Sequence, residues 1–218
     1  MKRLISIVLF FTVVLIFSNC AQLSSFTTAK SVGKNNAEIG FAASGAGFTD
    51  FINNVDDETA VLPVFEFWGR YGVGEKMDLG LKLSTGLSGV FDLKYQFLGD
   101  RQSLFAMALG GGLGFQGGTL DALLLQGHVP LFISVHPTEK FAIYTNPRFI
   151  SQFIPGEGSL NYGGASIGLE FGSRVKFNIE GNYFKILGDL DDVGSAFDEF
   201  GVGLYQIGLG LKFLIGKN

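Results

Sequence analysis

From Glu38 onward, apolar and polar residues alternate with a period of two, and no window carries an apolar stripe at helical spacing. Met77, Leu79, Leu81, Leu83 and Thr85 share one face of an extended segment, with Asp78, Gly80, Lys82 and Ser84 on the other. The pattern repeats with Phe91, Leu93, Tyr95 and Phe97 opposite Asp92, Lys94 and Gln96. Near the C-terminus, Tyr205, Ile207, Leu209, Leu211, Phe213 and Ile215 oppose Gln206, Gly208, Gly210 and Lys212. Read this way, the chain predicts ten strands, at 37–45, 61–73, 77–87, 89–98, 103–115, 123–136, 140–153, 161–173, 174–186 and 201–216, with eight as the alternative count. Most are longer than the roughly 5–6 residues of soluble strands and match the roughly 9–11 that a tilted strand needs to cross a bilayer.

The connections alternate too. Short turns at 74–76, 99–102, 137–139 and 173–174 interleave with longer stretches at 46–60, 116–122, 154–160 and 187–200. The exception is a tight reversal at 86–88. Short turns at one end and long loops at the other, with an even strand number, describe an up-and-down barrel with both chain ends on the short-turn side.

Alternation alone leaves open which face is outside. A lipocalin-like soluble barrel would turn the apolar face inward. A barrel of about ten strands is only slightly wider than the eight-stranded kind, whose lumen a few layers of side chains fill. The Leu, Phe, Ile and Tyr residues are too many and too large for it, so they are expected to face lipid, with the Gly-, Ala- and Ser-rich face enclosed. Aromatic residues fall near both strand ends. Tyr71, Phe97, Phe105, Phe141, Phe171, Phe177 and Phe213 lie at the short-turn end, with Phe91, Phe115, Phe153, Tyr162, Tyr183 and Tyr205 at the other, as two interfacial girdles.

Composition sharpens this. Glycine numbers 32 and phenylalanine 23, while charged residues make up only 17%. A single cysteine excludes a disulfide framework or multi-cysteine metal site, and a net charge of −4 argues against nucleic-acid binding. Met1-Lys2-Arg3 followed by the apolar run 4–17 reads as an export signal, too short to span a bilayer as a helix. Ser18-Asn19-Cys20 closes it and resembles a bacterial lipobox, which implies acylation at Cys20. The expected organisation is a signal peptide over 1–20, a Ser/Thr-rich tether over 21–36 and a barrel over 37–218.

The alternating strands, together with a closing segment in which Gln206, Gly208, Leu211 and Phe213 fit a loose assembly signal, resemble the small outer-membrane β-barrel proteins of diderm bacteria. The resemblance implies a closed antiparallel up-and-down transmembrane β-barrel, an all-β fold in the bacterial outer membrane. It also implies contact with outer-membrane lipids and lipopolysaccharide, and recognition by the barrel-assembly machinery.

The enclosed face carries six acids, Glu38, Glu66, Asp78, Asp92, Glu170 and Glu180, and six bases, Arg70, Lys82, Lys94, Arg148, Lys176 and Lys212. A balanced set in a narrow lumen favours ion pairs that fill it over an ion-selective channel. The long loops add eleven acids: Asp50, Asp56, Asp57, Glu58, Asp121, Glu157, Asp189, Asp191, Asp192, Asp198 and Glu199. Asp189, Asp191 and Asp192 could hold calcium but lack EF-hand spacing, so solvated loops are the plainer reading. Of two histidines, His128 faces the lumen near Gln126, and His136 sits near Ser134 at a strand end. Neither builds a catalytic constellation, and no cofactor motif is present. The expected function is therefore a non-enzymatic, structural or surface-interaction barrel, with a narrow solute pore and a soluble lipocalin-like lipoprotein as alternatives.

Overall fold

A computed structural model describes residues 23–48, 61–85, 87–117, 123–154, 158–187 and 203–216. The period-two segments form ten antiparallel strands: β1 (Ala37–Phe48), β2 (Leu62–Gly72), β3 (Met77–Ser84), β4 (Ser88–Leu98), β5 (Phe105–Gly117), β6 (Leu123–Thr138), β7 (Phe141–Ile154), β8 (Gly158–Gly172), β9 (Val175–Leu187) and β10 (Gly203–Ile215). Each pairs with its neighbours in sequence, and β1 closes on β10 with Ala37 opposite Ile215 and Phe48 opposite Leu204. Closure pairs every strand on both edges, so no backbone edge is left to meet hydrocarbon.

Strand existence and order agree with the periodicity, and the ends differ by at most a few residues. β3 stops at Ser84 rather than 87, because Leu87 takes a left-handed φ of 57° in the reversal to β4. β8 begins at Gly158, three residues before the expected start.

The apolar face points outward. Leu81, Leu93, Leu109 and Leu209 are 40–51% exposed, whereas Lys82, Lys94 and Lys212 are 9% exposed or less. That direction overturns the lipocalin-like alternative, which required the reverse. A belt of exposed Leu, Ile, Val and Phe has no stable place in water and matches the hydrocarbon core of a bilayer. Tyr71, Phe97, Phe105, Phe171, Phe177 and Phe213 mark one end of the belt and Phe91, Phe115, Phe153 and Tyr183 the other, all exposed.

Tyr162 corrects the girdle assignment. It is buried in the lumen and its hydroxyl donates to Gln152 Oε1 at 3.1 Å. The reason is parity: Tyr162 and Glu170 lie eight residues apart on one strand and so share a face. The same rule places Trp68, Phe132, Tyr144, Ile150, Phe184 and Leu204 inside. The enclosed face is thus less uniformly small than expected. Trp68 lies flat over Gly40 on the next strand, and Tyr144 over Gly168, where any Cβ would fall inside the ring. Glycine at these positions lets a large ring pack on bare backbone.

The second correction concerns 21–36, expected to be a solvated tether. Its described part, residues 23–36, runs inside the barrel, with Leu23, Ser24, Phe26, Thr27, Thr28, Ala29 and Ser31 all buried. A stretch of small hydroxyl residues satisfies its backbone with polar wall groups as readily as with water, and here the wall supplies them.

Candidate functional site: the filled lumen

The threaded segment is fastened at the short-turn end. Gly33 (φ 81°) and Asn35 (φ 62°) turn the chain away from β1, and Asn35 N donates to Gly72 O at 2.9 Å. The chain then climbs past Asp78 and Gln96, past Lys94 and Ser134, and past Glu180 and Trp68. It reaches Leu23, which packs with Ile150, Tyr162, Phe184 and Leu204 in the long-loop half of the barrel.

Nearly every peptide unit on this path meets a wall side chain. Val32 N donates to Asp78 Oδ1 at 3.2 Å and Ser31 N to Gln96 Oε1 at 2.8 Å, while Ser31 Oγ donates to Asp78 Oδ1 at 2.6 Å. Lys94 Nζ donates to the carbonyls of Thr28 at 2.9 Å and Lys30 at 2.7 Å. Ala29 N donates to Ser134 Oγ at 3.2 Å, and Asn146 Nδ2 to Thr27 O at 3.0 Å. Glu180 accepts from Phe26 N at 2.6 Å, Ser25 N at 2.7 Å, Ser25 Oγ at 2.9 Å and the Tyr144 hydroxyl at 2.9 Å. Lys82 Nζ donates to Ser24 O at 2.9 Å, and Arg148 donates to the carbonyls of Ser24 and Leu23. Many of these bonds are charge-assisted, roughly twice as strong as neutral ones. Phe26 stacks on Trp68 with centroids 5.5 Å apart and planes 9° from parallel.

The twelve charged residues expected in the lumen all face it, and the structure sorts them. Arg70 pairs with Asp92 at 2.7 Å, Lys94 with Asp78 at 3.3 Å, and Lys82 with Glu66 at 3.6 Å. Lys212 bridges Glu38 at 3.1 Å and Glu170 at 2.6 Å, and Lys176 also meets Glu170 at 2.6 Å. That leaves Arg148 and Glu180, which have no salt-bridge partner among the described residues. Both hold the threaded backbone instead, Glu180 on amides and Arg148 on carbonyls. Ion pairs therefore do not fill the lumen alone, as the charge balance implied; they line a channel that the chain's own segment occupies. Leu23 and Phe26, two bulky apolar residues in an otherwise small polar stretch, were the sequence signal for this arrangement.

Of the assembly-signal residues, Gln206 and Gly208 face inward, with Gln206 Nε2 donating to Ser44 Oγ at 2.6 Å. Phe213 faces outward and Leu211 is half-buried. Cys20, Asp189, Asp191, Asp192 and the other loop acids lie outside the described residues. No cluster of three or more metal-binding side chains occurs among the described residues.

His128 Nε2 meets Gln126 Oε1 at 3.1 Å and is buried. His136 Nε2 lies 2.9 Å from Ser134 Oγ, a nucleophile–base spacing. Ser134 is also buried, however, and already accepts the amide of Ala29.

No protein-family model matches the chain, and no curated protein sequence matches it. Among solved structures it is similar to Neisserial surface protein A (9% identity, 83% of this chain, 99% of that one, TM-score 0.38). It is also similar to the N-terminal β-barrel domain of Pseudomonas aeruginosa OprF (17% identity, 83% and 99%, TM-score 0.34) and to NanC porin (10% identity, 78% and 98%, TM-score 0.43). At these scores the fold stands on the strand pairing described above: a closed, ten-stranded, antiparallel up-and-down barrel.

Proposed function

We propose that this protein is a non-enzymatic outer-membrane barrel with a structural or surface-interaction role, closed by its own N-terminal segment. The observation that carries this reading is the wall-to-backbone bonding along residues 23–36, with Phe26 stacked on Trp68 across the lumen. The exposed apolar belt supports the membrane location. Its aromatic borders suit the interfaces with outer-membrane lipids and lipopolysaccharide, and Gln206, Gly208, Leu211 and Phe213 are read as the strand that the barrel-assembly machinery recognises.

Planar-bilayer recording tests the closure. The full-length folded protein shows no ion steps, whereas Phe26→Asp, which sets a carboxylate against Trp68 and close to Glu180, produces them. Steady conductance from the unaltered protein overturns the closed reading in favour of a pore.

Acylation at Cys20 belongs to the same proposal. Palmitate labelling of the wild type but not of Cys20→Ala is the expected result, and labelling of neither rejects acylation.

A further inference from the structure

Midway along the lumen a cavity of about 50 Å³ remains between the threaded segment and the wall. Ser24, Ser25 and Thr27 form its segment side, and Arg70, Lys82, Asp92 and Arg148 are the charged residues on its wall side. On the lining residues, Arg70 Nη1 and Arg148 Nε are buried donors without a hydrogen-bond partner, and Asn146 Oδ1 is a buried acceptor without one. The Arg70 side chain is only 7% exposed. A buried guanidinium donor left unmet carries a desolvation penalty, so an acceptor belongs beside it.

The local charges say which acceptor. Arg70 is matched by Asp92, and Lys82 by Glu66. Arg148 has no salt bridge among the described residues, and Glu180, the other charge left without one, holds the Ser25 and Phe26 amides and Tyr144 and does not line the cavity. The cavity lining therefore carries three cations, Arg70, Lys82 and Arg148, and one carboxylate, Asp92, around a space of about three or four water-sized spheres. From this we infer that the cavity binds a small monovalent anion, a carboxylate of formate or acetate size or a halide, held between Arg148 and Arg70. Water would meet the N–H groups but would add no negative charge beside the three lining cations. Anions with many more atoms, such as sugar acids, exceed the volume.

The inference rests on the closed-lumen reading, because the segment supplies one wall. An anion held there also bridges barrel and segment, since Arg148 already grips the Leu23 and Ser24 carbonyls. Occupancy therefore favours the closed state.

The test uses the full-length protein folded in detergent and crystallised from sodium bromide. An anomalous bromide peak between Arg70 and Arg148, absent in Arg148→Met, supports the site. A lumen containing the segment but no anomalous peak at the cavity overturns the site and spares the closed reading. A lumen without the segment overturns both. In parallel, sodium formate at fixed ionic strength raises the thermal midpoint saturably by about 4 °C relative to sodium gluconate. That difference vanishes in Arg148→Met, and equal midpoints in the two salts for the wild type overturn the proposal.

Discussion

Glu180 accepts hydrogen bonds from two backbone amides of the threaded segment, a serine hydroxyl and the Tyr144 phenol. Lys94 and Asp78 combine the two roles present in the lumen, pairing with each other while holding Thr28, Lys30, Ser31 and Val32. At the scale of single residues, then, charge in this lumen serves peptide recognition as much as ion pairing. Glu180→Ala strands the buried Phe26 amide, the half-buried Ser25 amide and the Tyr144 hydroxyl, and each buried group left unmet costs about 1–3 kcal/mol. Its urea unfolding midpoint is expected well below wild type, with Glu180→Gln in between because an amide oxygen can still accept. Equal midpoints for all three proteins would show that the carboxylate does not hold the segment.

At the scale of elements, the strands were legible because a pleated strand between lipid and a packed lumen imposes alternation, which the strands keep apart from irregularities at Gln96–Leu98 and Val135–Thr138. Tyr162 belongs inside by the same rule, because it shares parity with Glu170 on β8, and Trp68, Tyr144 and Phe184 follow the same logic. The threaded segment was harder to see. It has no periodic pattern of its own, because its partners are side chains on β2, β3, β4, β6, β7 and β9, and that complementarity is spread over more than a hundred residues of sequence. The mismatch that hinted at it was the pair Leu23 and Phe26, which a solvated tether has no reason to carry. Arg148 and Glu180 were legible as lumen charges, but their lack of ionic partners depends on register across neighbouring strands and needs coordinates.

At the scale of the whole molecule, two opposite environments meet across one strand thickness. Lys212 is held by Glu38 and Glu170 inside, while Leu209 and Phe213 on the same strand are exposed outside. Exchanging these roles is asymmetric. Leu209→Lys puts an unpaired ammonium in hydrocarbon and is expected to cost about 2–4 kcal/mol if Leu209 lies near the bilayer midplane, measured as folding into lipid vesicles against denaturant. An unchanged folding free energy would place Leu209 away from lipid.

The outward apolar face and the inward segment together make the central claim, a membrane barrel closed by its own N-terminal stretch. Amide hydrogen–deuterium exchange on the folded full-length protein tests it most directly, because residues 23–32 contain no helix or strand that would protect them otherwise. The amides of Ser25, Phe26, Ala29, Ser31 and Val32 are expected to exchange as slowly as those of the barrel strands. Exchange of these five amides at the rate of an unstructured peptide, with the strands still protected, would contradict the account.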